Sequence, residues 1–215
     1  MKNEKNREWF LLVITTILCV VPILFVLPFY EQLPAQIGVH WDYQGNIDNY
    51  VSKPMAVFGI PVLMAVFNLG VNFINEADPR RKNTSKKIRF LLKLLLPAIC
   101  FIFYPITILI ALGKEIRVEK VVPVLIGILF ILIGNYLPKC KQNYTIGIKI
   151  PWTLHSEENW NKTHHMAGYL WIVGGILFLV TGLFSMPEWV SVVYLIVVML
   201  LIPLCYSYRL FKKGI

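Results

Sequence analysis

Charge is scarce along this chain. Of its 215 residues, 15% are Asp, Glu, Lys or Arg, against 57% hydrophobic. A soluble domain of this length would carry about a quarter charged residues, so an ordinary water-soluble globule is excluded. Acids are scarcest where they would matter most. None stands near the middle of a long apolar run, which argues against an ion pathway built on buried carboxylates. Cysteine is limited to four, with Cys19, Cys100 and Cys205 inside apolar runs and Cys140 alone in a loop. No Cys-x-x-Cys pair is present, so neither a zinc site nor a disulfide framework is indicated. Internal repeats and low-complexity segments are also lacking.

What the chain does have is apolar runs long enough to cross a bilayer, roughly 20 residues at 1.5 Å each. Six are read, from about Trp9 to Pro28, Met55 to Ile74, Ile88 to Leu112, Val121 to Leu137, Gly168 to Met186 and Trp189 to Tyr208. The expected fold is an all-α membrane protein with six transmembrane helices, in contact with membrane lipid. The first run has the basic flank of a signal peptide, but it is long for one, and Leu33-Pro34-Ala35 offers a poor cleavage site; an uncleaved helix is expected. Lys93 sits near the end of its run, where it can snorkel to the headgroups.

The formal net charge of +9 could suggest nucleic acid, but the basic residues cluster in short loops beside the spans. With the N-terminus in the cytoplasm, seventeen of them, including Arg80, Arg81, Lys82, Lys139, Lys141 and Lys149, fall inside. Lys53, Lys114, Arg117 and Lys120 fall outside. This bias predicts cytoplasmic N- and C-termini and no nucleic-acid partner. Two regions of three helices follow: residues 1–112 with an extracellular loop over 31–54, and residues 113–215 with a cytoplasmic loop over 138–167.

Prolines interrupt the spans at Pro22, Pro61, Pro97, Pro105, Pro123 and Pro203, each removing a backbone donor. Such kinks are packing features in many membrane helices and moving parts in some. Asn68 and Asn72 share one face of the second span and Asn135 lies late in the fourth; amides in lipid need partners, so helix bridging is expected, with an ion path as the sharper alternative. Gly127 and Gly134, and Gly175 and Gly182, recur at seven-residue spacing. They allow close helix contact within the chain or between copies, which leaves a homo-oligomer open.

The outer polar segment reads LPAQIGVHWDYQGNIDNYVSKP, from Leu33 to Pro54. Ile37, Val39, Trp41 and Tyr43 alternate with Gly38, His40 and Asp42 at strand period. Gln44-Gly45-Asn46 supplies a turn, and Ile47 to Val51 returns. A small hairpin with an aromatic docking surface is predicted. His40, Asp42 and Asp48 match no metal-ligand spacing, and no Ser–His–Asp logic is visible at Ser52.

The inner polar segment runs from Asn143 to Gly168, NYTIGIKIPWTLHSEENWNKTHHMAG. Tyr144 to Ile150 reads as extended, and Pro151 keeps Ile150 out of helix. Ser156 caps a helix with Glu157 and Glu158 in its first turn. Trp160, His164 and Ala167 share one face, which predicts an amphipathic, interfacial cytoplasmic helix running into the fifth span. It reads equally as a partner-docking site or plug and as an interfacial anchor, with Trp152 and Trp160 at the headgroups. His164 and His165 are adjacent and point apart, so they do not readily share an ion, and His155, Glu157 and Glu158 complete no catalytic motif. No metal or cofactor is expected, nor an enzymatic activity.

The stretch GNYLPKCKQNYTIGIKIPWTLHSEENWNKTHHMAG resembles the signature of the SdpI family of bacterial membrane immunity proteins. The matching positions are Gly134, Asn135, Pro138, Asn143, Gly147, Pro151, Trp152, Thr153, Leu154, Trp160, Thr163, His164 and Gly168. The outer segment resembles the domain of unknown function that precedes it in many members, at Leu33, Pro34, Ile37, His40, Trp41, Gly45, Asp48, Ser52, Lys53 and Pro54. The sequence departs from the family pattern at Lys149 and His165, where the family more often has Arg, and at Ile150, where it more often has Thr. Lysine does not reproduce a bidentate arginine contact.

The resemblance implies a membrane protein that protects its producer from a secreted peptide toxin and, in one member, signals by drawing a cytoplasmic repressor to the membrane. Partner contacts would then fall on Asn143, Gly147, Lys149, Pro151, Trp152, Thr153, Trp160, Thr163, His164 and Gly168 inside. Outside they would fall on Pro34, His40, Trp41, Gly45, Asp48 and Lys53. Two other classes stay open: a small transporter or lipid-handling protein with a polar cavity lined by Asn68, Asn72 and Asn135, and a scaffold acting only within a larger assembly.

Overall fold

A computed structural model describes every residue except Met1, Tyr43, Ser185 and Pro187; the side chains of residues 2–5 and 188 also lie outside the description. Among the described residues are six helices long and apolar enough to cross a membrane. Their surfaces carry bare apolar side chains, among them Phe67 at 62%, Phe73 at 71% and Phe184 at 74% exposure. Water would reject such a surface and lipid accepts it, so this is a multi-pass membrane protein. The chain divides into two compact units, residues 1–77 with 85–116, and residues 78–84 with 117–215.

The first unit begins with α1 (Lys2–Val20) and α2 (Pro22–Val26), continued by a 3₁₀ turn over Leu27–Gln32. β1 (Gln36–Trp41) and β2 (Ile47–Ser52) then pair antiparallel, as the alternation predicts. The register slips around Val39, with Gly38 opposite Tyr50 and His40 opposite Asn49; Ile37 is buried, and Gly38 is buried because the Ile47 side chain lies where a Cβ would stand. The base of the hairpin sits on an apolar cluster of Val26, Leu33, Ile37, Ala56, Val57, Tyr104 and Ile108.

Next come α3 (Ile60–Ala77) and α4 (Lys86–Ala111). Ser85 caps α4 by accepting the Ile88 amide at 3.3 Å. Gly113, at φ +84, closes it: the Gly113 amide bonds Ile110 and the Lys114 amide bonds Leu109, the reciprocal pair of a Schellman end. Lys93 does not snorkel. It is 1% exposed and ion-paired with Glu8 of α1, because a partner inside the unit removes the need to reach the headgroups.

The second unit contains α5 (Val118–Tyr136), the short α6 (Pro151–His155), α7 (Glu157–Phe184), α8 (Glu188–Tyr194) and α9 (Ile202–Lys212). Helices α5 and α7 pack backbone to backbone. A methyl at Gly127 would lie 2.6 Å from the Gly175 carbonyl, one at Gly134 2.8 Å from that of Gly168, and one at Gly182 2.8 Å from that of Lys120. The seven-residue glycine spacing is thus used within the chain.

Two of the prolines share one device. Pro61 follows a wide π turn over Met55–Gly59, and Pro203 follows another over Leu195–Leu201. A proline has no amide to give the carbonyl four residues back, here Val57 and Met199. Each freed carbonyl is taken by an aromatic donor: the Tyr104 hydroxyl reaches Val57 at 3.0 Å, and the Trp171 indole reaches Met199 at 3.3 Å. In lipid such a carbonyl needs a protein donor.

Candidate functional site: a locked signature loop

The signature folds around one tryptophan. Ser156 caps α7 as expected, accepting the Asn159 amide at 3.2 Å, with Glu157 and Glu158 in the first turn. The apolar face expected at Trp160, His164 and Ala167 faces protein rather than the membrane interface. Trp160 is 0%, His164 1% and Ala167 0% exposed. The cause is the preceding loop, which folds back over this face.

Residues 140–150 are irregular rather than strand. The Asn143 side chain decides this. Its oxygen accepts the Thr145 and Ile146 amides at 2.9 and 2.7 Å, and its nitrogen donates to the Lys141 carbonyl at 2.8 Å. That is an asparagine turn, and it competes with extended pairing. Gly147 then takes φ +112, and a Cβ there would collide with His164 Nε2 and lie 3.1 Å from the Trp160 ring. Only glycine lets the loop lie this close. The Trp160 indole donates to the Cys140 carbonyl at 2.6 Å, and its ring stacks on His164 at 4.0 Å.

His164 is held in one tautomer. The Trp160 carbonyl, 2.8 Å from Nδ1, can only accept, so Nδ1 carries the proton. The Ile148 amide donates to Nε2 at 2.9 Å, so Nε2 gives its lone pair. Both nitrogens are committed and the ring is neutral. It is no general base in this arrangement. Among the described residues no three His, Cys, Asp or Glu come together in a way that could hold a metal. Burial pushes the Cys140 thiol above its ordinary value, against a smaller opposing pull from the Asn143 amide, and so favours the protonated thiol.

Thr153 and Gln142 fasten the far side. The Thr153 hydroxyl donates toward the Ile148 and Ile150 carbonyls at 2.7 and 2.9 Å and receives the Ile150 amide at 3.1 Å. Gln142 donates to the Thr153 and Leu154 carbonyls at 2.7 and 2.9 Å. Thr163 donates to Asn159 at 3.1 Å, and Asn159 also takes the Ser207 hydroxyl at 2.6 Å, tying α7 to α9.

A second segment, absent from the sequence reading, completes the site. Asp78 accepts the Tyr144 amide at 2.9 Å, the Thr145 hydroxyl at 2.7 Å and the Arg80 amide at 2.7 Å. Burial opposes its charge, but these hydrogen bonds outweigh burial and hold its carboxyl below the usual range. Asn83 donates to the Gln142 carbonyl at 2.7 Å, and the Arg80 guanidinium lies over the Tyr144 ring, 4.9 Å from its centre. The Asp78-Pro79 pair was the available signal, since such pairs open turns.

Six of the ten positions expected to meet an inner partner, Asn143, Thr153, Trp160, Thr163, His164 and Gly168, are buried in this fold. Gly147 is partly exposed yet lies against His164. The surface is made by Lys149 and Pro151, which are exposed, and by half-buried Trp152. The Trp152 ring lies 5.0 Å from that of Tyr208 and 6.1 Å from that of Phe211. Lys149 reaches back to the Thr145 carbonyl at 2.9 Å.

The hairpin is built the other way. Asp42 folds the turn, accepting the Gln44 and Asn46 amides at 2.8 Å each. The Asn46 side chain and these amides hold its carboxyl below the usual range. Gly45 bonds the Asp42 carbonyl at 3.0 Å. His40 and Asp48 pair at 2.6 Å on the exposed face. Pro34 is exposed and Trp41 half-buried; Lys53 donates to the Tyr30 carbonyl at 3.2 Å and lies over that ring. Tyr43 lies outside the described residues.

Of the amides, Asn68 bridges to Thr16 of α1 at 3.0 Å, whereas Asn72 bonds the Asn68 carbonyl of its own helix at 2.8 Å. Asn135 is exposed on the last turn of α5.

Six spans and a locked polar loop on the fifth define a multi-pass membrane protein with the SdpI signature. Residues 139–207 match the SdpI/YfhL protein family and residues 17–65 match a domain of unknown function, DUF1648. Over 204 residues the chain is 28% identical to the "Immunity protein SdpI" of Bacillus subtilis (strain 168), covering 94% of this chain and 96% of that protein. No solved structure matches.

Proposed function

We propose that this chain is a non-enzymatic immunity and sensor protein of the cell membrane, with both termini in the cytoplasm, which protects its producer from a secreted antimicrobial peptide. One observation carries the reading: similarity to an immunity protein runs along 94% of the chain, and within it the signature residues form one satisfied, locked loop. The hairpin is the face for the toxin. It offers His40, Asp48 and Tyr50 to solvent, and its acids suit a cationic peptide. The signature loop, with Tyr144, Lys149, Pro151 and the edge of Trp152, is the face for a cytoplasmic repressor.

The transporter reading asks for one polar interior lined by Asn68, Asn72 and Asn135. Asn68 and Asn72 are buried but Asn135 is exposed, which favours the immunity reading. The test is expression in a toxin-sensitive strain. Survival should rise with the wild-type chain and fall back with Trp152→Ala or His164→Ala. Unchanged survival with the wild-type chain refutes immunity. For signalling, the repressor should move to the membrane fraction only when toxin is added.

A further inference from the structure

The first unit buries more polar surface than its own groups satisfy. On α3, Asn68, Asn72 and Asn75 stand at i, i+4 and i+7, 0%, 1% and 1% exposed. Asn68 is engaged by Thr16 and, at 3.4 Å, by Thr15. Oδ1 of Asn72 and both side-chain polar atoms of Asn75 have no hydrogen-bond partner among the described residues. An amide left so in an apolar interior is strongly destabilising. Folded proteins keep such groups where a further molecule completes them.

The antiparallel register shows what stands beside them. Asn68 meets Thr15 and Thr16. Seven residues along α3, about 10 Å, Asn75 comes level with residues near Glu8 on α1. Glu8 is the partner of buried Lys93. The polar groups thus form a column from the Glu8–Lys93 pair to the threonine hydroxyls. Toward the hairpin the unit's interior is the apolar cluster of Val26, Val57, Tyr104 and Ile108. The column is blind at that end.

Chemistry narrows the occupant. The unmet groups are two carbonyl oxygens and one amide NH₂, so it must both accept and donate. It must be small, since the side chains around it are almost wholly enclosed. It must be uncharged, since the neighbouring charges already pair and two oxygens beside an ammonium make a poor cation site. We propose that Asn72 and Asn75 bind internal water molecules, which link the Glu8–Lys93 pair to Thr15 and Thr16 as a hydrated column inside the first unit.

The test is radiolytic labelling of the full chain in detergent with ¹⁸O-water, in which radicals born on bound water mark adjacent buried side chains. Leu12, at 6% exposure, follows Glu8 by four residues and precedes Thr15 by three, which puts it on the column face of α1, and Ile108 at 4% lies in the apolar cluster. Leu12 should take up label several-fold faster than Ile108, a side chain of similar intrinsic reactivity toward radicals, and Asn72→Leu with Asn75→Leu should abolish the difference. Equal labelling in the wild-type chain overturns the proposal. Thermal melting of Asn75→Leu alone decides it separately. A lower Tm fits a completed amide, and a higher Tm means that the amide was orphaned and the column is dry.

Discussion

The hairpin and the signature loop are both short polar segments rich in aromatic, glycine and proline residues, yet they spend their recognisable residues in opposite ways. The hairpin uses Asp42 and Gly45 to make a turn and leaves His40 and Asp48 in water. The signature loop turns Asn143, Thr153, Trp160 and His164 inward until every one is engaged. A motif of the first kind is a surface. A motif of the second kind is a shape, and its surface is made by neighbours that carry less of the pattern.

Trp160→Ala should break this comparison most severely. It removes a fully buried indole, its bond to Cys140 and its stack on His164, and should cost about 3–5 kcal/mol, read as lowered Tm and rapid proteolysis within residues 140–150. Gly147→Ala comes next. At φ +112 and against His164, the added methyl should cost about 1–3 kcal/mol, with the same proteolytic signature.

Asp78→Asn should cost about 1–3 kcal/mol, since it weakens bonds to a charged acceptor, and it also carries a pH signature. The folded carboxyl titrates below its unfolded value. Its stabilising effect is therefore present above the unfolded pKa of about 3.9 and is lost as pH falls through the folded one. Acid unfolding followed by intrinsic fluorescence should show a shallower acid limb in the variant. Tyr104→Phe strips the donor from the Val57 carbonyl and should cost about 1 kcal/mol in a thermal melt. Smallest of all is His40→Ala. An exposed pair contributes less than about 1 kcal/mol, so Tm should barely move, while protection against toxin falls if the hairpin is the toxin's face. A large drop in Tm would erase the distinction between the two loops.

What was legible in the sequence was local. Hydropathy located six spans, alternation and the Gln44-Gly45-Asn46 turn located the hairpin, and Ser156 located the start of α7. Seven-residue glycine spacing marked α5 and α7 as helices able to pack closely, without naming the partner of either. What was not legible depends on distant pairing. Lys93 read as a snorkelling lysine because nothing near it in sequence is acidic; its partner Glu8 is 85 residues away. Asp78 drew no notice because the amide it accepts, at Tyr144, is 66 residues on. The face of Trp160 and His164 was visible as a stripe, but a stripe does not say whether lipid or a folded-back loop covers it.

The seven residues from Asp78 to Thr84 set a rule for recombining this chain with a relative. A crossover near residue 116 looks clean on paper, since it falls between the third and fourth spans. It would nonetheless give one parent's Thr145 another parent's Asp78. Hybrids should survive that junction only when the short insert travels with the later half, whichever parent donates the rest.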